Sequence, residues 1–223
     1  MSERVTFASA AGDTASGALS LPAGSGPAPA VIVVHEWWGL TDQIERTVDR
    51  LAGEGFIALA VDVYRGVTTR DPAEAQRLMQ ALSGERSLAD LTGAVAYLKA
   101  HPLCSGKVAI TGFCMGGAYS FAAACFVRGL SAAVPFYGIP PRPDWSKVDV
   151  PIQAHVASRD GWVKPAAVEA IRATLAARGQ PMEVRVYEAD HAFMNEQRPE
   201  VYAPEAARVA WDRAVAFLRQ HTA

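Results

Sequence analysis

"TGFCMGGA", residues 111–118, decides how this chain folds. A short apolar run, "KVAITG" (107–112), leads into it, and a helical pattern over residues 115–128 leads out. The stretch therefore reads as a strand, a tight turn and a helix. Cys114 stands between Gly112 and Gly116, the spacing of a nucleophile elbow with cysteine in the serine place. The glycines meet a steric demand, because a side chain two residues to either side would strike the neighbouring strand or helix. Cys114 is then expected in strained backbone at the carboxyl edge of a sheet. The helix beginning at Met115 would aim free N–H groups and its positive dipole end at the sulfur.

The same pattern extends outward from the elbow. "PAVIVVH" (29–35) is a continuous β-branched run of the kind a strand buried on both faces requires. "FIALAVDVY" (56–64), "LSAAVPFYG" (130–138), "VPIQAHVAS" (150–158) and "MEVRVYE" (182–188) read the same way. Helical patterns lie between them at 42–53, with Thr41 as N-cap, and at 87–100, 165–178 and 204–220. Alternating strands and helices predict an α/β fold, a mostly parallel central sheet with helices on both faces. "RVTFAS" and "SGALSLP", split by "AGDTA", predict an antiparallel hairpin at the sheet edge. "PAGSGPAP" (22–29) is a loop too early to separate domains, so residues 1–223 are expected to form a single domain.

Composition narrows the function. The 223 residues are half apolar, and 21 Lys and Arg nearly balance 23 Asp and Glu for a net charge of −2. No basic block appears, which disfavours nucleic acid and anionic membranes as partners. The N-terminus has no apolar stretch of signal-peptide length, and the run near 118–127 is too short to span a bilayer. Cys104, Cys114 and Cys125 are odd in number and lack CxxC spacing, which predicts a reducing, cytoplasmic setting without disulfides or a zinc site. Cys104, in a loop before a strand, and Cys125, inside a helix, read as inert.

A nucleophile at such an elbow needs a base and an acid that orients it, in the chain order nucleophile, acid, histidine. Among five histidines, His35 and His155 lie on strand patterns, His101 precedes the nucleophile and His221 belongs to the terminal tail. His191 remains, in "YEADHAF" after the last strand. Asp160, in "VASRDGW", ends the preceding strand and is the expected acid; Asp144, one strand earlier, is the alternative. The strand "AVIVVH" runs into "EWWG", so Glu36 is expected at a strand end beside the elbow. No second histidine follows at zincin spacing. Trp38 is read as a pocket wall, and the backbone N–H groups of Trp37 and Met115 as the oxyanion donors.

"VVHEWWGL", "GFCMGGA", "SRDGW" and "YEADHAF" together resemble the dienelactone hydrolases (carboxymethylenebutenolidases), small α/β-hydrolases without a cap domain. The resemblance runs over roughly residues 5–220. It implies a Cys114–His191–Asp160 triad, with Glu36 as the carboxylate that manages the resting thiol. It also implies opening of an unsaturated lactone to a keto-acid, as in the breakdown of chlorinated aromatics, without metal or organic cofactor. By position it carries over Trp38, Tyr137, Trp162 and Phe193 as pocket walls. Family members hold the substrate carboxylate with arginines, one a few residues after the histidine. Here Asn195 stands at that place, with Arg70 and Arg77 near the other. A monomer acting on a small lactone or ester is expected. The alternatives are a broad-specificity cysteine carboxylesterase or thioesterase, and a non-catalytic thiol sensor on a hydrolase scaffold.

Overall fold

A computed structural model describes all 223 residues, Met1 to Ala223. Eight strands form one sheet: β1 Glu3–Ala8, β2 Thr14–Ser20, β3 Ala28–Val34, β4 Ile57–Val61, β5 Cys104–Phe113, β6 Ala132–Phe136, β7 Ile152–Ala157 and β8 Met182–Tyr187. Their spatial order is β1-β2-β4-β3-β5-β6-β7-β8. The β1–β2 and β2–β4 pairs are antiparallel and the remaining pairs parallel. The predicted hairpin therefore closes one edge of a mostly parallel sheet. Cys104 is the first residue of β5 rather than part of a loop, because the Ala28 N–H reaches the Leu103 carbonyl (2.7 Å) and pulls the strand start backward.

The β-branched runs form strands because both faces of the sheet are covered. Along β3, Ala30, Ile32 and Val34 enter one apolar core, while Val31 and Val33 enter the other. Helices α1 (Asp42–Gly53) and α6 (Pro204–Thr222) pack on the second face through Ile44, Val48, Leu51, Trp211, Val215 and Leu218. Helices α3 (Gly84–Ala100), α4 (Met115–Phe126) and α5 (Pro165–Ala176) cover the first face through Leu91, Leu98, Phe121, Val168 and Leu175. Burying each such aliphatic side chain contributes about 1.5–3 kcal/mol. Thr41 does precede α1, though its side chain makes no capping bond. No helix is long and apolar enough to cross a membrane.

One helix escaped the sequence reading. α2 (Pro72–Ala81) is capped by Asp71, whose side chain accepts the Ala73 N–H, and has Pro72 in its first turn. Of its residues only Ala75 is buried and Leu78 partly so, which makes its apolar stripe short. Between β6 and β7 the chain makes a single 3-10 turn, Trp145–Lys147, and builds no cap.

From β3 the chain moves to β4 on one side and then crosses to β5 on the other. Adjacent parallel strands whose connections leave in opposite directions open a crevice at their carboxyl ends, where ligands of α/β sheets bind. Here those ends are Val34 and Phe113, immediately before His35–Glu36 and Cys114.

The elbow leaves no space for a β-carbon. A Cβ on Gly116 would lie 2.1 Å from the Val34 carbonyl oxygen, and one on Gly112 2.3 Å from the Gly116 oxygen. Gly117, whose purpose the sequence did not disclose, would place a Cβ 2.1 Å from the Phe136 oxygen. Gly116→Ala is expected to lower unfolding free energy by about 2 kcal/mol or more through forced displacement of backbone, measured by urea denaturation. Gln76→Gly on the exposed side of α2, by contrast, should cost only about 0.5 kcal/mol.

Candidate active site

Cys114 has φ 56° and ψ −113° at the N-terminus of α4, a strained conformation for a residue with a side chain. Its N–H donates to the Phe136 carbonyl (3.1 Å), and its own carbonyl accepts the Ala118 N–H (3.1 Å). Tyr137 (φ 37°) and Ala192 (φ 66°) are also left-handed, so three of the four non-glycine residues with positive φ surround one crevice. The thiol remains partly exposed.

The loop after β8 brings His191 back to this edge. Its Nδ1–H donates to Asp160 Oδ2 at 2.7 Å, and its ring packs edge-on against Tyr137 at 5.1 Å between centroids. Asp160 is fully buried, and its other oxygen accepts the N–H groups of Trp162 (2.7 Å) and Val163 (3.0 Å). Burial alone would raise the Asp160 pKa, but the bond from His191 and these two backbone donors outweigh it and hold the carboxyl below its ordinary value. Burial likewise works to lower the His191 pKa, yet the Asp160 bond and the neighbouring Cys114 sulfur push it up to about 10. The imidazole is thus oriented by one partner and faces the thiol with the other. Asp144 takes no part: it caps the 3-10 turn through the Ser146 N–H (3.2 Å) and pairs with Lys147.

Glu36 follows the end of β3 and is 2 % exposed. Its Oε2 accepts the Asn195 Nδ2–H at 2.7 Å, and its Oε1 accepts the Tyr137 hydroxyl at 3.3 Å. Burial raises its pKa, against the opposing influence of Asn195, His191, Arg198 and Tyr137. Both Glu36 and Cys114 bear on the Tyr137 hydroxyl, whose pKa is raised well above the ordinary value, first by its burial. The two sides of the crevice therefore meet at this phenol.

Three of the residues expected to touch substrate are buried. Asn195 donates its side-chain N–H to Glu36. Tyr137 is buried between His191, Phe193 and Glu36, and Phe193 is wholly buried behind it, 5.5 Å between ring centroids. Trp162 departs in the other direction: its backbone binds Asp160 while its side chain stands 80 % exposed. Trp38 stays partly exposed, edge-on to Trp37 at 5.0 Å. Arg77 pairs with Glu74 on α2, and Arg70 is exposed outside it. The cation closest in influence is Arg198, which the sequence reading missed. Its guanidinium lies 5.8 Å from the Trp38 ring centre, and its Nε donates to Glu200 (2.8 Å). No motif marks it; only the fold carries it back to Trp38.

A strained cysteine-bearing turn between a parallel strand and a helix, near a histidine that a strand-end aspartate orients, matches the elbow arrangement of an α/β-hydrolase. Residues 16–222 match the model of the dienelactone hydrolase family. The chain belongs to that family and is a hydrolase of its type. It is 32% identical over 217 residues to a carboxymethylenebutenolidase of a Pseudomonas species, covering 91% of this chain and 88% of that one. It is 38% identical over 204 residues to protein usf of Aquifex pyrophilus, covering 86% and 88%. A crystal structure of a dienelactone hydrolase-like promiscuous phosphotriesterase from metagenomic libraries superposes with a TM-score of 0.89 over 100% of this chain and 99% of that one. At 24% identity this likeness bears on the fold alone.

The His191–Asp160 pair also has a pH signature. A histidine pKa raised on folding from 6.5 to about 10 gives stability that is complete below pH 6.5 and disappears as pH rises through 10. Asp160→Asn should therefore cost about 2 kcal/mol at pH 6, of the order of a charged hydrogen bond. The difference from wild type should shrink by pH 10.5, measured by denaturant unfolding at the two pH values.

Proposed function

We propose that the chain hydrolyses unsaturated lactones and related esters through a Cys114 acyl-enzyme. The observation that carries this reading is Cys114 held at φ 56° on a helix N-terminus with His191, fixed by Asp160, as its neighbour. The thiolate sulfur attacks the carbonyl carbon, and the N–H groups of Trp37 and Met115 receive the oxyanion. The S–C bond forms and the ring or ester C–O bond breaks, the leaving oxygen taking its proton from the His191 imidazolium. Water then attacks the thioester, His191 accepts its proton, and the S–C bond breaks to free the acid and restore the thiolate.

Glu36 serves as the reserve base that takes the resting thiol proton when substrate arrives and gives it back to the thiolate after the acid has left. Its raised pKa suits that task, and its two partners, Asn195 and Tyr137, are neutral donors. The substrate of the named relatives supports a dienelactone, whereas the turning of Asn195 onto Glu36 favours a pocket more tolerant of uncharged esters.

Mass spectrometry after an acid quench should find an acyl adduct on Cys114 from an activated aryl ester. Cys114→Ala should give no adduct and lose turnover with the fold kept. Turnover by this variant at the wild-type rate would remove the cysteine mechanism. Glu36→Gln should lower kcat/KM at least about tenfold, since the amide cannot take a proton, and leave the His191–Asp160 bond in place. Comparing kcat/KM for a dienelactone and its methyl ester should show a preference for the free carboxylate below about a hundredfold, or ~2.7 kcal/mol.

A further inference from the structure

The chain buries two histidines completely, and they are treated differently. His155 lies stacked on Phe136, with centroids 4.3 Å apart, and both ring nitrogens are satisfied: Nδ1 by the Tyr187 hydroxyl (2.9 Å), Nε2 by Gln153 Oε1 (3.0 Å). It is an ordinary core histidine. His35 has one nitrogen bonded and one not. Its Nε2 has no hydrogen-bond partner and lies 3.9 Å from Asp62 Oδ1, which already accepts the Tyr64 N–H at 3.1 Å. An unmet buried nitrogen is costly, and a fully packed apolar residue would avoid it.

What His35 does instead is bond the next residue. Its Nδ1 lies 2.6 Å from the Glu36 carbonyl oxygen, and since a carbonyl only accepts, Nδ1 carries the proton. The same carbonyl accepts the Gly39 N–H at 3.2 Å, closing the "EWWG" turn. Gly39 itself has φ +89°, and a Cβ there would lie 2.3 Å from the Val67 carbonyl oxygen. The imidazole cannot swing away, because the Tyr64 ring stands edge-on to it at 4.9 Å.

The Glu36–Trp37 peptide is trans, so its N–H points opposite to its C=O. Two donors hold the carbonyl on one side, and the Trp37 N–H is thereby aimed to the other. That N–H has no acceptor within the protein. We infer that His35 is a positioning residue for oxyanion stabilisation: it fixes the Glu36–Trp37 peptide plane so that the Trp37 N–H faces the reacting carbonyl oxygen. The inference rests on the hydrolase reading above and extends it to a residue that never meets substrate. An oxyanion donor acts only if its direction is set before the charge develops. A peptide at the end of a strand, followed by a turn, otherwise has freedom to rotate.

Three variants of the full chain separate this role from simple packing. In His35→Asn the side-chain amide places an N–H near the Nδ1 position. In His35→Gln the amide reaches toward the Nε2 position. His35→Leu fills the volume with no donor. On an activated aryl ester, His35→Leu and His35→Gln are expected to lose about tenfold to a hundredfold in kcat with KM within about twofold. His35→Asn should recover most of that loss. The affinity of an aryl aldehyde, which forms a hemithioacetal on Cys114 and presents an oxyanion at the same place, should follow kcat across the series. Thermal unfolding of each variant shows whether it is folded; should His35→Leu not fold, the comparison of Asn with Gln decides alone. Equal kcat in the Asn and Gln variants, or aldehyde affinity unchanged in either His35→Leu or His35→Gln, overturns the inference. Absence of turnover in the wild-type protein under the same conditions would count against the hydrolase reading instead.

Discussion

The structure depends on one close approach of backbone to backbone. The first turn of α4 lies so near the end of β3 that a Cβ on Gly116 would be 2.1 Å from the Val34 oxygen and 2.8 Å from that of His35. Gly112 and Gly117 permit the matching approaches to α4 itself and to β6. Only with all three glycines can the chain turn from β5 into α4 at Cys114. The turn forces the cysteine into a left-handed conformation that costs of the order of 1–3 kcal/mol. Apolar layers on both faces of the sheet offset that cost. The gain is a sulfur at the positive end of a helix, at the carboxyl ends of the paired strands β3 and β5.

Around that sulfur two carboxylates live in opposite circumstances. Both are buried, and burial alone would raise the pKa of each. Asp160 meets a histidine and two backbone N–H groups, so it remains charged and orients the imidazole. Glu36 meets a neutral amide and a phenol, so burial prevails. Environments of this kind separate two acids, keeping one charged and making the other easier to protonate. Tyr137 joins the halves, with its ring on His191 and its hydroxyl on Glu36.

The same arrangement alters the reading of the pocket. Tyr137, Phe193 and Asn195, expected as substrate contacts, are buried beside Glu36 and His191. Asn195 binds the Glu36 carboxylate, while the Arg198 guanidinium lies beside Trp38.

Much of this was written in the sequence, for physical reasons. Strands buried on both faces need continuous apolar runs, so the inner strands were legible to within a few residues. The elbow was legible because its glycines answer a local steric demand. The order of cysteine, aspartate and histidine followed from where loops leave a parallel sheet. Helix α2 offered Asp71, Pro72 and a short apolar period, Ala75 to Met79, too brief to stand out beside the buried helices. What the sequence alone did not determine is where polar side chains point. Glu36 and Asn195 are 159 residues apart, and Glu36 and Tyr137 are 101 apart. Their bonds arise where two loops converge over one sheet edge, with each group taking the partner that burial leaves within reach. Residue type and spacing constrain the backbone along the chain, but the pairing of buried polar groups is decided by the three-dimensional packing that removes water from them.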